Sequence, residues 1–576
     1  MKNSRIHIIF ATVLLMFLIF GVVSTLTLDS DFGKIEVQTV SITENEIELS
    51  GLLYKPKSAQ VDNPAPGIVL AHGISGSKEM MSSIGLELAR RDFVSLCLDL
   101  YGHGKSQGTV EDGRRDPSFG VYSAIQYLKS KSFVNNSALG LIGHSLGAGA
   151  ARAASFQDTQ INALVLIAGG LGDVAQGQQY GSLNSTYPRN LLVVVGKYDI
   201  LFELTPLATR ELPAIFGTHE EVTQGVLYGN FSSKTARKFV VPLTTHLFEP
   251  TDPVVVSESV DWMEKAIGVG ESGEGKASAG FFYPQRETSI AVALIGLIGM
   301  TFLSFFPIGD FVQAKFQKNR KESEKALFGS GRLYSVWAVV NLTMFVPMFA
   351  VGSLVAFPPL VFGSSVAWWM LGSGLVGLLI LAKFSKRFLG KRIAIRQKLI
   401  GVFTKEGLIL AGVSFLILFS ITIVLAVFFN FGFRIISPIL RDISSMNRAI
   451  VFPLFLPFFL PYFIAESMFL HELAQWTPRE QENWNGLRNY FTTVFAKIAP
   501  FMFLLFLQYS VKISFDIWLL PSFAGFLLEF LWLIVPIFTI ACSFSWWFYR
   551  RTGNALSSAL LNALLMSWIA SVVFPF

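Results

Sequence analysis

LGLIGHSLGAGAAR, residues 139 to 152, runs from an apolar stretch into a serine held between glycines, and then into an Ala-rich, helix-forming segment. A strand that feeds a helix through Gly143-His144-Ser145-Leu146-Gly147 is a G-x-S-x-G turn, the setting in which a serine can act as a nucleophile. The flanking glycines have a steric reason. Such a turn is strained and its neighbours pass close to adjacent backbone, so that Ser145 Oγ projects above the sheet. Taken alone the pattern also fits an ordinary helix N-cap serine, and the surrounding sequence has to decide between the two.

Outward from that turn the same alternation continues. GIVLAHG (67–73), VSLCLDL (94–100), INALVLIAG (161–169) and LLVVVGKYD (191–199) are short, near-continuously apolar runs that end in Gly or a polar residue, as buried parallel strands do. Between them, MMSSIGLELARRD (80–92) and FGVYSAIQYLKSK (119–131) repeat apolar residues at three and four, the helical spacing. The order predicts a doubly wound, mostly parallel α/β sheet over residues 34–267. In front of it, residues 37–56 alternate at period two and predict an antiparallel hairpin. Behind it, residues 268–287 open on GVGESGEGKASAG, a Gly/Ser-rich linker with no means of forming a core.

Four more motifs stand at strand ends. IVLAHGISGSKE carries His72-Gly73-Ile74, and DLYGHGKS spans Asp99 to Ser106. LLVVVGKYDILFE puts Asp199 just after a strong strand, with Glu203 as a local rival and Asp173 as a more distant one. ARKFVVPLTTHLFEP puts His246 in a loop ahead of the amphipathic stretch VVVSESVDWMEKAIG; His219, the other histidine after Asp199 in this domain, lacks a preceding strand. Together these motifs resemble the α/β-hydrolase superfamily over about residues 38 to 267. Tyr101 departs from the Arg frequent there, away from the chemistry. The resemblance implies the chain order nucleophile, acid, histidine, hence Ser145, Asp199 and His246. It also implies oxyanion donors at the Ile74 and Leu146 N–H groups. His72, Gly73, Gly143, His144 and Gly147 then frame the site, and Asp99 and His103 are structural. Such a set performs acyl transfer through an acyl-enzyme and needs neither metal nor organic cofactor.

The rest of the chain is of another kind. Of 576 residues, 52% are hydrophobic and 15% charged, against about 25% charged in ordinary soluble proteins, which excludes a wholly soluble or disordered chain. Residues 29–287 hold 21 Lys+Arg against 29 Asp+Glu, and residues 288–576 hold 23 against 11. The basic excess therefore lies among apolar segments, and nothing points to nucleic acid. Cys97 and Cys542 sit in unrelated apolar runs and suggest neither a disulfide nor a zinc site.

Residues 1–28 predict an uncleaved signal anchor, apolar from Ile6 to Leu28 behind Lys2 and Arg5. Within residues 288–576, eight apolar stretches predict further spans: 288–308, 334–356, 361–382, 407–431, 449–470, 490–510, 519–548 and 554–575, for about nine transmembrane helices in all. With the hydrolase-like domain outside, inside segments carry 21 Lys+Arg and outside loops only Arg434, Arg441, Arg448 and Lys512, the asymmetry of the positive-inside rule. The expectation is a multi-pass protein of the cell membrane with the domain extracytoplasmic and the lipid bilayer as partner.

Glu529, about ten residues into its span, and Glu466 and Lys497, near the ends of theirs, are ionisable residues in apolar helices; structural interhelical pairing is the expected use. Only about 20 residues (169–190) separate the sixth strand from the acid-bearing one, too few for a large cap. The function expected is a membrane-bound serine hydrolase acting on a small-molecule or lipid-like acyl ester. A serine exopeptidase or amidase is the neighbouring reading. A transporter or receptor-like protein with a ligand-binding hydrolase-fold domain is the reading from another class.

Overall fold

In the computed structural model the described residues are 2–44, 46–171, 182–268, 281–316, 330–389, 405–434, 438–472, 484–552 and 556–576. Asp173, most of the Gly/Ser-rich linker and the basic loops around Lys321, Lys391 and Arg479 lie outside them.

Strands β1 (Ile35–Glu44) and β2 (Ile47–Pro56) form the expected antiparallel hairpin, with Val40 opposite Gly51. The strands β3 (Ala65–Ala71), β4 (Val94–Leu98), β5 (Val134–His144), β6 (Ala163–Ile167), β7 (Leu191–Val194) and β9 (Arg237–Val240) are parallel to one another, and the short β8 (Leu227–Tyr228) closes the edge antiparallel to β9. The order is β1-β2-β4-β3-β5-β6-β7-β9-β8. The runs in β3, β4, β6 and β7 are apolar throughout because both faces are covered: every residue in them is buried. Helices Val121–Lys129 and Leu146–Gln157 pack on one face, and Ser82–Ala89 and Pro253–Ile267 on the other. All parallel strands end at the same edge, and the loops after β3, β5, β7 and β9 converge there.

Among the described residues, eight helices are long and apolar enough to cross a membrane: Ile8–Asp29, Tyr283–Leu303, Gly331–Val355, Gly363–Arg387, Gly407–Phe429, Met446–His471, Leu487–Phe515 and Ala524–Tyr549. The ninth expected span is an apolar helix of 18 residues, Leu556–Val573, just short of that length. It is nonetheless packed at the centre of the bundle and returns to the domain, where Val110 N donates to Phe576 O at 2.7 Å. Helix Lys2–Asp29 lies along helix Tyr283–Phe316, and a Cβ on Gly21 would stand 2.5 Å from Ala293 N; a bare glycine lets the backbones meet.

Two boundaries differ from expectation. The linker does not reach residue 287: its last residues fold, with helix Tyr283–Phe316 starting where Phe282 and Tyr283 N–H groups donate to Glu87 Oε1 at 2.6 and 3.0 Å. Arg286 pairs with Asp29 at 2.5 Å, tying the two helices that flank the domain. The helix bearing Glu529 is also broken, into Ser522–Glu529 and Leu531–Thr552. Glu529 ends the first piece, beside the His246 loop of the α/β domain.

The two halves are joined by charge pairs. Arg434 bonds Glu287 and donates to Ser82 Oγ at 3.0 Å, Arg441 approaches Glu79 at 3.5 Å, and Lys105 pairs with Asp442 at 2.9 Å. Arg448 donates to Gly102 O at 3.0 Å. Three of the four Lys and Arg residues expected in outside loops are thus spent on docking the domain.

Candidate active site

Ser145 occupies the turn between β5 and helix Leu146–Gln157 with φ 53° and ψ −116°, a conformation that non-glycine residues rarely hold. Close packing enforces it. A Cβ on Gly143 would lie 2.1 Å from Gly147 O, so the turn closes only with glycine there. The strand-to-helix context read from the sequence is the one observed.

The loop after β9 brings His246 to this turn, and the loop after β7 brings Asp199. His246 Nδ1 lies 2.8 Å from Asp199 Oδ2, and Nε2 lies 3.0 Å from Ser145 Oγ. Because a carboxylate only accepts, Nδ1 carries the proton and Nε2 is left to accept from the serine hydroxyl. Leu201 N donates to Asp199 Oδ1 at 2.8 Å, which fixes the carboxylate plane. Both Asp199 and His246 are buried. Burial alone would make the His246 imidazole harder to protonate, but the charge and hydrogen bond of Asp199, helped by the Glu529 carboxylate, raise its pKa above the ordinary 6.5. The rivals are elsewhere: Glu203 and His219 are exposed, and Asp173 is outside the described residues.

The loop after β3 lies against Ser145: a Cβ on Gly73 would stand 3.1 Å from Ser145 Cβ. His72 braces that loop, as expected. Leu100 N donates to His72 Nε2 at 3.2 Å, so its Nδ1 is protonated and donates to Gly73 O at 2.7 Å. Among the described residues no hydrogen bond engages the Ile74 or Leu146 N–H; Leu146 follows Ser145 in the chain, and Ile74 follows Gly73. Asp99 is structural, accepting from Lys78 N and Lys78 Nζ, each at 2.6 Å, and from Lys105 N at 2.8 Å. His103 stays in its own turn, its Nδ1 2.8 Å from Tyr101 O.

Two residues that matter, Lys78 and Glu249, went unread in the sequence, and a third, Glu529, was read only as a structural interhelical pair. Lys78 is fully buried as the partner of Asp99, holding the loops after β3 and β4 together. Glu249 accepts from Gly196 N at 2.7 Å and lies 3.3 Å from His144 Nε2, which is itself 3.0 Å from His246 O. This bridge joins the loops of the acid and the histidine. Burial pushes the Glu249 carboxyl up and the His144 imidazole down, which disfavours the charged form of each. His144, His246 and Glu249 have donor atoms within 4.8 Å of one another, but both His246 nitrogens are already occupied by Asp199 and Ser145 and suit no metal ion. The third residue is Glu529, on the broken helix, whose neighbour Phe526 sets its ring 5.5 Å from the His246 ring, edge to face. A polar residue followed by a helix break was the available signal, and only docking gives it meaning.

Among the described residues of the domain no large cap rises around this site. What covers it comes from the membrane-type helices: Gly525 packs on Ile200, Trp532 on Phe248 at 5.9 Å, and Tyr509 on Tyr198 at 6.5 Å. Ile200 belongs to the apolar core of those helices and Ile74 packs against it, whereas the apolar cores on the two faces of the sheet are separate.

This half of the chain is similar to known proteins. Residues 68–271 match the alpha/beta hydrolase family. The uncharacterized protein YcjY of Escherichia coli (strain K12) is 30% identical over 122 residues, 20% of this chain, and the chain spans only 40% of that relative's length. An esterase of Pyrococcus furiosus superposes at 16% identity and a TM-score of 0.32, covering 42% of this chain and 96% of its own. Dienelactone hydrolase of Anabaena variabilis does so at 20% identity and 0.28, covering 40% and 97%. The described part of residues 68–271 has the alpha/beta hydrolase fold, and in this chain a region of helices long and apolar enough to cross a membrane follows it.

Proposed function

We propose that the protein is a membrane-bound serine hydrolase that cleaves an acyl ester through an acyl-enzyme on Ser145. One observation carries this reading: the hydrogen-bonded row Ser145, His246, Asp199, beside two N–H groups with nothing bound to them. His246 Nε2 takes the hydroxyl proton as Ser145 Oγ attacks the ester carbonyl carbon. Ile74 and Leu146 N–H donate to the oxyanion, and Asp199 supports the imidazolium. The imidazolium returns its proton to the departing alkoxide. Water, deprotonated by His246, then attacks the acyl carbon and releases the acid and free Ser145.

A lipid or lipid-linked acyl group is the substrate we favour. Its support is the apolar continuity from Ile74 and Ile200 into the helices, which offers a long chain a path to Ser145 from the bilayer side. The domain is proposed to lie outside the cell membrane, because Arg434, Arg441 and Arg448, in loops on its side of the bundle, are few and all engaged with the domain or its flanking helices, while the many basic residues fall in the opposite loops. A cysteine at position 321 labelled only from the outside would overturn this orientation.

Labelling of native membranes with a fluorophosphonate probe tests the chemistry. The wild-type chain is expected to label and Ser145→Ala to label not at all. Equal labelling of the two would defeat the assignment.

A further inference from the structure

We infer that Glu529, carried by a membrane-type helix, is a positioning residue for the reaction proposed at Ser145: together with Phe526 it holds His246 in its reactive setting, so that the membrane domain completes the active site. The inference rests on the hydrolase reading above and adds a residue from the other half of the chain.

The setting of Glu529 is unusual. It is only 2% exposed, and one carboxylate oxygen accepts from the Tyr509 hydroxyl while Oε2 has no partner. Leaving a carboxylate oxygen buried and unpaired costs on the order of a few kcal/mol unless something else is gained. Thr245, next to His246, has its hydroxyl beside both Glu529 and Tyr509 yet off full hydrogen-bond geometry with either. One turn earlier on the same helix, Phe526 meets the His246 ring, and Gly525 packs on Ile200, beside Asp199. A single eight-residue helix, Ser522–Glu529, therefore touches the histidine ring, the residue next to it in sequence and the residue next to the acid.

The groups facing His246 are few. From the domain come Asp199 and Ser145 in direct contact, His144 with its ring 5.0 Å away, and Glu249 behind His144. Asp199 and Glu529 are the two carboxylates that favour a positive charge on the ring. That charge appears when His246 takes the serine proton. A carboxylate held nearby in a buried site lowers the energy of the charged state without bonding the substrate. Structural pairing does not account for Glu529, because among the described residues no cation pairs with it; Glu466, by contrast, is bonded to Lys497.

The test uses the full-length protein in detergent, with the pH dependence of kcat/KM on a short p-nitrophenyl ester. His246 must be neutral to accept the proton, so activity rises with pH through its pKa. The ionised form of Glu529 favours the charged ring, so removing that carboxyl lowers the pKa. Glu529→Gln, which keeps the shape and the contact to Tyr509, is expected to move the acidic limb to lower pH by up to about one pH unit and to lower kcat about tenfold, with KM little changed. Glu529→Asp should recover part of both. A folded Glu529→Gln enzyme with an unmoved limb and unchanged kcat would overturn the inference. Should that variant fail to fold, Phe526→Leu replaces it: kcat should fall at constant KM, and an unchanged kcat defeats the proposal. Fluorophosphonate labelling separates the two levels. A wild-type chain that labels, with silent Glu529 and Phe526 variants, sinks this inference and leaves the hydrolase standing, whereas a wild-type chain that does not label sinks both.

Discussion

Asp199 and Glu529 both favour the charged form of His246, and they come from opposite halves of the molecule. Asp199 stands at a strand end within the α/β domain and touches the ring at 2.8 Å. Glu529 arrives on a helix some 330 residues further along and acts across a short gap, bonded only to Tyr509. A third carboxylate completes the comparison. Glu466 also lies in an apolar helix, yet it meets Lys497, whose ammonium also bonds the Tyr462 hydroxyl, and that hydroxyl donates in turn to Asn341 Oδ1 at 2.8 Å. Glu466 and Glu529 look alike in sequence, as single acids in runs of Phe and Leu. One is a neutralised interhelical pair and the other is not, because only the helix of Glu529 docks on the histidine loop.

Substitutions can break or sharpen this contrast. The largest effect belongs to Asp199→Asn, which should leave the fold intact and reduce ester turnover by roughly three to four powers of ten, since the imidazole loses both its tautomer and its counter-charge. Stopped-flow or endpoint hydrolysis with a circular-dichroism check measures it. Lys497→Met comes next, but on stability. It leaves Glu466 buried without its cation, and about 3–5 kcal/mol should be lost in thermal unfolding in detergent, with much of it restored by adding Glu466→Gln. If Glu466 were instead part of the reaction, the pH limb of the surviving enzyme would move; it is expected to stay in place.

The wild-type profile gives a smaller signal. With the His246 pKa raised, half-maximal kcat/KM on the acidic side should fall above pH 6.5, and a limb well below that value would contradict the two-carboxylate picture. Smallest of all is Glu203→Gln. Glu203 is exposed and faces no member of the row, so turnover should stay within about twofold of wild type.

The sequence was most legible where chemistry and local structure coincide. The G-x-S-x-G turn is strand, strained residue and helix within a few positions, and its glycines are demanded by contacts such as Gly143 with Gly147. Asp199 and His246 were readable because each follows an apolar strand of a parallel sheet, and such strands deliver their ends to one edge. The span lengths follow from hydropathy in the same way, and only the 18-residue helix Leu556–Val573 falls short of the expected set. Lys78 and Glu249 were silent, and Glu529 was read as an interhelical pair. A buried lysine, a glutamate after a histidine and an acid in a Phe-rich helix each have ordinary explanations until their partners are known.

Local order is encoded by neighbours in the chain: apolar periodicity fixes strands and helices, and glycine fixes the turn that exposes Ser145. These suffice for the α/β domain, the apolar helices and the order of the site residues. Which surfaces meet is a property of complementary shapes and charges hundreds of residues apart, such as Arg434 with Glu287 and Gly525 with Ile200. Only the folded molecule could decide that membrane-type helices roof the active site, because no periodicity in one segment records the segment against which it packs.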